Sequence, residues 1–157
     1  MLVERVLDLP MREADVAIRM KEPSQADLIR RKLMTVNMRL YAAPEYLEQN
    51  GAPETMEDLA EHRLICQRVT STQVSAGAQL VQELLSHDIP SLLTVINYFG
   101  VLQAVNSGLG IGVLPDYIIQ DFPTIQRVLP DVESNEIPFF LAFPEELRQS
   151  NRISAFR

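Results

Sequence analysis

Between Leu92 and Leu114 the chain reads as strand, helix, strand, and that order restricts the possible folds more than any other feature. Leu92-Leu93-Thr94-Val95-Ile96 is a short apolar run of strand length. Asn97 stands where a helix cap is needed, and Val101, Leu102 and Val105 share one face at helical spacing. Gly108 supplies the stop, after which Ile111-Gly112-Val113-Leu114 is apolar again. Two strands joined through a helix lie parallel in one sheet, so the fold class is α/β with a parallel or mixed sheet. Pro115-Asp116 then opens a further short helix.

Other segments fit around this unit. The opening is strand-like, with Val3, Val6 and Leu9 among charges, and Ala14 to Met20 is a nearly continuous apolar run suited to a strand covered on both faces. Lys21-Glu22-Pro23-Ser24 breaks it, and Val36 to Ala42 alternates as a strand with one buried face. Pro44 fits a first helical turn that ends at Asn50-Gly51, and Thr55 to Asp58 is a capping arrangement opening Met56 to Ala60. Arg63 to Gln67 is a short strand, and Val69 to Gly77 is a polar surface loop. Leu80 to Leu85 fits a strand or a helical turn. Ile125 to Leu129 and Phe139 to Phe143 read as strands, and Arg152 to Phe156 as the start of a helix.

Charge bears on partners. The 157 residues carry 14 Lys and Arg against 21 Asp and Glu, a formal net charge of -7. Nucleic-acid affinity rests on cations set against phosphates, and the one compact basic cluster, Arg30-Arg31-Lys32 followed by Arg39, reads as a solvated face. DNA contact is therefore expected from some other segment. Hydrophobic residues make up 46% of the chain, enough for a core without disulfide or metal. A single cysteine, Cys66, excludes an internal disulfide and fits a reducing cytoplasm. No apolar run reaches the ~18 residues of a membrane span. Glu4, Asp8 and Arg12 interrupt any secretory signal.

Candidate chemistry is sparse. Gly108-Leu109-Gly110-Ile111-Gly112 follows a helix and enters a strand, the reverse of a nucleotide-binding loop, so helix stop and close packing are expected. His62 and His87 lack metal-type partners at short spacing and are expected at the surface or at caps. Cys66 reads as a buried inert thiol, with redox sensing as the lesser reading, since that needs exposure and a lowered pKa. Acidic pairs such as Glu145-Glu146 and Asp131 with Glu133 look solvated. Nothing marks an enzyme, a metal site or a cofactor. Asn97-Tyr98-Phe99 differs: it lies at a strand-to-helix junction, where open α/β sheets bind ligands. The helix end there suits a carboxylate or phosphate, with Tyr98 and Phe99 as an apolar wall; the alternative is an ordinary cap with core aromatics.

The order of several segments resembles the effector-binding domain of LysR-type transcriptional regulators. Ala14-Asp15-Val16-Ala17-Ile18-Arg19 looks like that family's "DVAIR" strand. Tyr41 to Leu47 with Pro53 to Ile65 resembles its "ASPAYL…TPEDLAxHRLI" stretch, and Ala104 to Pro115 its "AVxxGLGIxxLP" signature. Arg127-Val128-Leu129-Pro130 and the strand from Phe139 to Pro144 follow in the same order. The wording is most similar to an alphaproteobacterial subgroup.

The resemblance implies a type 2 periplasmic-binding-protein-like fold of two lobes. Residues 1–38 and 138–157 would form an incomplete lobe I, residues 39–137 lobe II, and the winged helix-turn-helix DNA-binding domain would be absent. It implies a small, anionic effector bound between lobes, with Asn97 and the N–H groups of Tyr98 and Phe99 as polar contacts, Arg19 and Met20 facing them, and Pro115 shaping the wall; bracing of the hinge is the alternative role for Arg19. The protein would be a cytoplasmic homo-oligomer (this domain a dimer, the full-length regulator a tetramer) that reaches DNA only through another domain, with no membrane and no cofactor. Three rivals share these features: a solute-binding protein of a transport system, an enzyme on the same fold, which calls for a cluster of titratable groups in the cleft, and a regulator triggered by oxidation of Cys66.

Overall fold

Strand β4 (Leu64–Gln67) lies between β5 (Leu92–Val95) and β6 (Ile111–Pro115) and is parallel to both, with Leu64 opposite Leu92 and Ile111. This is the arrangement that the strand–helix–strand pattern demands. The computed structural model describes residues 16–20, 27–68, 76–86 and 92–148. The readings at Val3 to Leu9, Ala14-Asp15, Lys21 to Ser24, residues 69–75, His87 and Arg152 to Phe156 lie outside these residues. The chain divides into two units, Met1–Thr35 with Ile137–Arg157, and Val36–Glu136.

In the first unit a three-stranded sheet has the order β1 (Ala17–Arg19), β8 (Ile137–Pro144), β2 (Leu28–Val36), the last strand running on into the second unit. β1 is antiparallel to β8, with Ile18 opposite Leu141. Leu28 and Ala142 pack with Ala17, while Leu141 and Phe143 gather Val16, Ile29 and Leu147. A short 3-10 turn, Glu145–Leu147, follows β8. Most of β2 escaped the sequence reading, which began a strand only at Val36. Its centre, Arg30 to Met34, is exposed on both sides, so no alternation of buried and exposed residues marks it. Val36 to Ala42 is likewise not the single strand its alternation suggests, since Asn37 separates β2 from β3 (Met38–Ala42).

In the second unit five strands take the order β5-β4-β6-β3-β7, with β3 antiparallel to both β6 and β7 (Gln126–Glu133). Helix α3 (Tyr98–Asn106) connects β5 to β6 and packs across β4 and β6. Its Val101, Leu102 and Val105 are fully buried against Tyr41, Ile65, Leu114 and Ile125. Helix α2 (Ala76–Leu85) packs against β3 and buries Leu80 and Leu84. The open choice at Leu80 to Leu85 thus resolves to helix, and Ala76-Gly77, assigned to the preceding loop, belong to it.

Helix α1 (Pro44–Asn50) ends at Gly51, whose φ of 80° is the left-handed region that a glycine adopts at little cost. A 3-10 turn, Glu57–Glu61, follows the Thr55–Asp58 box: Asp58 Oδ2 accepts from the Thr55 N–H at 2.9 Å, and Thr55 Oγ1 from the Asp58 N–H at 3.4 Å. Edge strand β7 runs past the expected Leu129 to Glu133 and carries a bulge. Leu40 pairs with Val128 but Arg39 with Glu133, so Leu129 to Val132 have no partners across the ladder. Leu129 sits there with φ 47°, its side chain buried.

Candidate functional site

Because β4, β5 and β6 are parallel, their C-terminal ends lie on one edge of the sheet, where open α/β sheets hold ligands. At the end of β5 the chain turns through Ile96 and Asn97 into α3. Asn97 has extended backbone angles, and its Oδ1 accepts from the Gly100 N–H at 2.8 Å. Asparagine is favoured here because its short side chain reaches the third N–H of the helix. Tyr98 and Phe99 form the first helical positions, whose N–H groups point out of the helix end. Phe99 is 63% exposed and Ile96 76%, whereas Tyr98 packs against the core. Phe99 and Ile96 thus make the outward apolar surface, a role the sequence had given to Tyr98 and Phe99.

Two further contacts shape this edge. The Arg68 N–H donates to the Val95 carbonyl at 2.7 Å, extending the β4–β5 ladder, and Gln67 Nε2 donates to the Ile96 carbonyl at 3.3 Å. Gln67 was missed because only the parallel register of β4 and β5 brings it there. Pro115 lies on the same edge two strands away, buried, opposite Met38, and leads into the 3-10 turn Asp116–Ile119. The structure therefore gathers Asn97, Tyr98, Phe99 and Pro115 on one edge of one sheet. Arg19 and Met20 belong to the first unit, where Arg19 ends β1 opposite Phe140 and Met20 is largely exposed.

Glycines behind this edge serve packing. Gly108 closes α3 with φ 69°. A methyl on Gly110 would overlap the Arg63 carbonyl, and one on Gly112 would overlap Val105 of α3. These are the helix stop and close approach that the sequence implied.

The LysR substrate binding domain profile matches residues 2–157. The chain belongs to that family. An uncharacterized HTH-type transcriptional regulator of Haemophilus influenzae is 26% identical over 144 residues, 90% of this chain and 50% of that protein. The chain spans about half the length of the curated relatives it matches over most of its own. Among solved structures, the regulatory domain of CrgA from Neisseria meningitidis superposes with a TM-score of 0.75 at 24% identity, covering 98% of this chain and 77% of that one. Full-length AphB, a Vibrio cholerae virulence activator of the same family, gives 0.71 at 24% identity and covers 98% and 52%. The LysR substrate-binding domain has the type 2 periplasmic-binding-protein-like fold that the resemblance implied.

In this LysR substrate-binding domain the Cys66 side chain is buried, and burial pushes its thiol up to about 12. A redox sensor needs the opposite, an accessible thiol of lowered pKa, so the oxidation-triggered reading loses its physical basis. His62, expected at the surface or at a cap, does occupy the cap position after the Glu57–Glu61 turn, but it is buried, with Nδ1 3.1 Å from Tyr46 Oη. Arg39, grouped with a solvated basic face, instead sits 2.8 Å from Glu133 and 3.6 Å from Asp116. Partial burial opposes its charge, but the hydrogen bond and charge of Glu133 outweigh that and hold its pKa up. Among the described residues no cluster of three or more His, Cys, Asp or Glu is placed to hold a metal ion, and no helix is long and apolar enough to cross a membrane.

Proposed function

We propose that this chain is the sensing part of a cytoplasmic LysR-type transcriptional regulator that binds a small anionic metabolite at the C-terminal edge of the five-stranded sheet. One observation carries the reading: Asn97 caps α3 at the end of parallel strand β5, beside the exposed side chains of Ile96 and Phe99. The helix end favours negative charge by about 0.3–1 kcal/mol at an exposed site, and the apolar pair suits a carbon skeleton. Asn97 Nδ2 and the Phe99 N–H are the polar contacts, with Pro115 and Tyr98 behind them. Arg19 and Met20 enter only as positions to test by substitution.

A ligand shifts such a protein only if it binds one arrangement more tightly than another. Its effect would reach DNA through a domain outside this chain, in an oligomer built from dimers of this one. The reading is of a binding protein and not of an enzyme, since the chemistry gathered at this edge is that of recognition. The similarity to regulators such as CrgA and AphB supports it over a transport solute-binding protein.

A thermal-shift screen with monocarboxylates, dicarboxylates and inorganic phosphate, followed by calorimetry, tests it. Asn97→Asp keeps a cap acceptor but adds negative charge, so it should weaken the best anionic probe by at least about tenfold, the equivalent of 1.4 kcal/mol. Unchanged affinity in Asn97→Asp would remove this edge from the site.

A further inference from the structure

We propose that Asn37, Asp116 and Ser134 form a clasp that makes the two passages of chain at the base of the 36–136 unit move as one body with the end of β6. The clasp goes beyond the ligand reading and stands without it.

Asn37 interrupts the run from β2 to β3 and is held from both sides. Its carbonyl accepts from the Asp116 N–H at 3.0 Å, and its own N–H donates to Asp116 Oδ1 at 3.4 Å. Its side-chain amide points the other way and donates to the Ser134 carbonyl at 3.1 Å. One residue on, the Met38 N–H donates to Ser134 Oγ and the Met38 carbonyl accepts from the Ser134 N–H, each at 2.9 Å.

A regular strand neighbour would offer Met38 one backbone N–H and one backbone carbonyl. Here the β3–β7 register breaks between Arg39 and Leu40, and the Ser134 hydroxyl stands in for the carbonyl. That releases the Ser134 carbonyl to take the Asn37 amide, while the hydroxyl proton goes to the Asn135 carbonyl at 2.8 Å. Ser134 and Met38 are both buried, so these groups find no water in exchange. Arg39 draws Glu133 and Asp116 together from beside the clasp. Three stretches distant in sequence, 37–38, 115–116 and 133–134, are thus bound through each other.

Residue-resolved hydrogen exchange on the 157-residue chain tests this. Ser134→Ala and Asn37→Ala should each speed exchange by about tenfold at the Met38, Asp116 and Ser134 amides together, while amides of β4 and β5 keep their protection. Leu84→Ala, a core truncation on α2 that removes none of the clasp's hydrogen bonds, should speed exchange throughout the unit. The proposal is overturned if Ser134→Ala leaves the Asp116 amide unchanged, if Asn37→Ala leaves the Ser134 amide unchanged, or if either variant acts as evenly as Leu84→Ala.

Discussion

Gly112 on β6 and Val105 on α3 pack so closely that the glycine has no room for a single methyl: a Cβ there would overlap Val105 Cγ2 and come within 3.0 Å of Val101 Cγ1. The helix lies this near the sheet because strand and helix face each other through hydrogen on one side and branched carbon on the other. Gly112→Ala should therefore push α3 outward and lower stability by about 1–3 kcal/mol, read from urea unfolding. Pairing it with Val105→Ala should recover part of that loss. Simple additivity of the two changes would show that they do not share the same space.

Tyr46 joins α1 to the start of β4 through one hydroxyl. The Arg63 N–H donates to it at 3.1 Å, and it lies 3.1 Å from His62 Nδ1 inside the protein. With His62 protonated on Nε2, the hydroxyl donates to Nδ1, so both of its hydrogen-bonding roles are filled. Tyr46→Phe keeps the ring but strands a backbone donor and a buried imidazole nitrogen. A loss of about 1–3 kcal/mol is expected, measured by thermal unfolding at neutral pH.

Cys66 should react with a disulfide reagent only when the domain unfolds, because its side chain is buried and its thiol raised to about 12. The pH dependence follows in sign. The folded state keeps the proton at a pH where an unfolded thiol, near 9.0, has lost it, so the stabilising contribution is whole below about 9 and fades as pH rises toward 12. Cys66→Ala should flatten that alkaline limb, whatever it does to stability at neutral pH.

Asp58 predicts the opposite limb. Backbone N–H groups of Thr55 and Glu54 hold its carboxyl below the usual 3.8. Its contribution is present above the unfolded pKa and is lost as pH falls through the folded value. Asp58→Asn should thus be less stable than wild type at neutral pH, with the difference closing in acid, as thermal unfolding across that range would show.

What could be read from residue order was whatever local chemistry controls. Asn97 announces the start of α3 and Gly108 its end, because capping and left-handed backbone need those residue types at those places. The parallel arrangement of β4, β5 and β6 then follows from connection geometry. What escaped depends on partners distant in the chain. Arg30 to Met34 form a strand although neither face is buried, so no pattern betrays them. His62 could be expected at a surface or a cap, but its burial beside Tyr46 could not, and Gln67 meets Ile96 only once the strands are in register. At the candidate site the cap was legible, but the outward turn of Ile96 was not: the apolar run continues through it, whereas β5 ends at Val95 and the chain bends there.

The bulge on β7 has a consequence for the molecule in a crowded solution. A straight outermost strand is a template on which a second chain can lay its own backbone, the first step of ordered aggregation. From Leu129 to Val132 this strand loses step with its neighbour, and the Arg127 guanidinium bridges the gap by donating to the Pro130 carbonyl and to Glu133. Pro130, at the middle of the break, has no N–H to offer an incoming strand. The irregularity that spoils the ladder inside one molecule is thus also what keeps that border from being copied by the next.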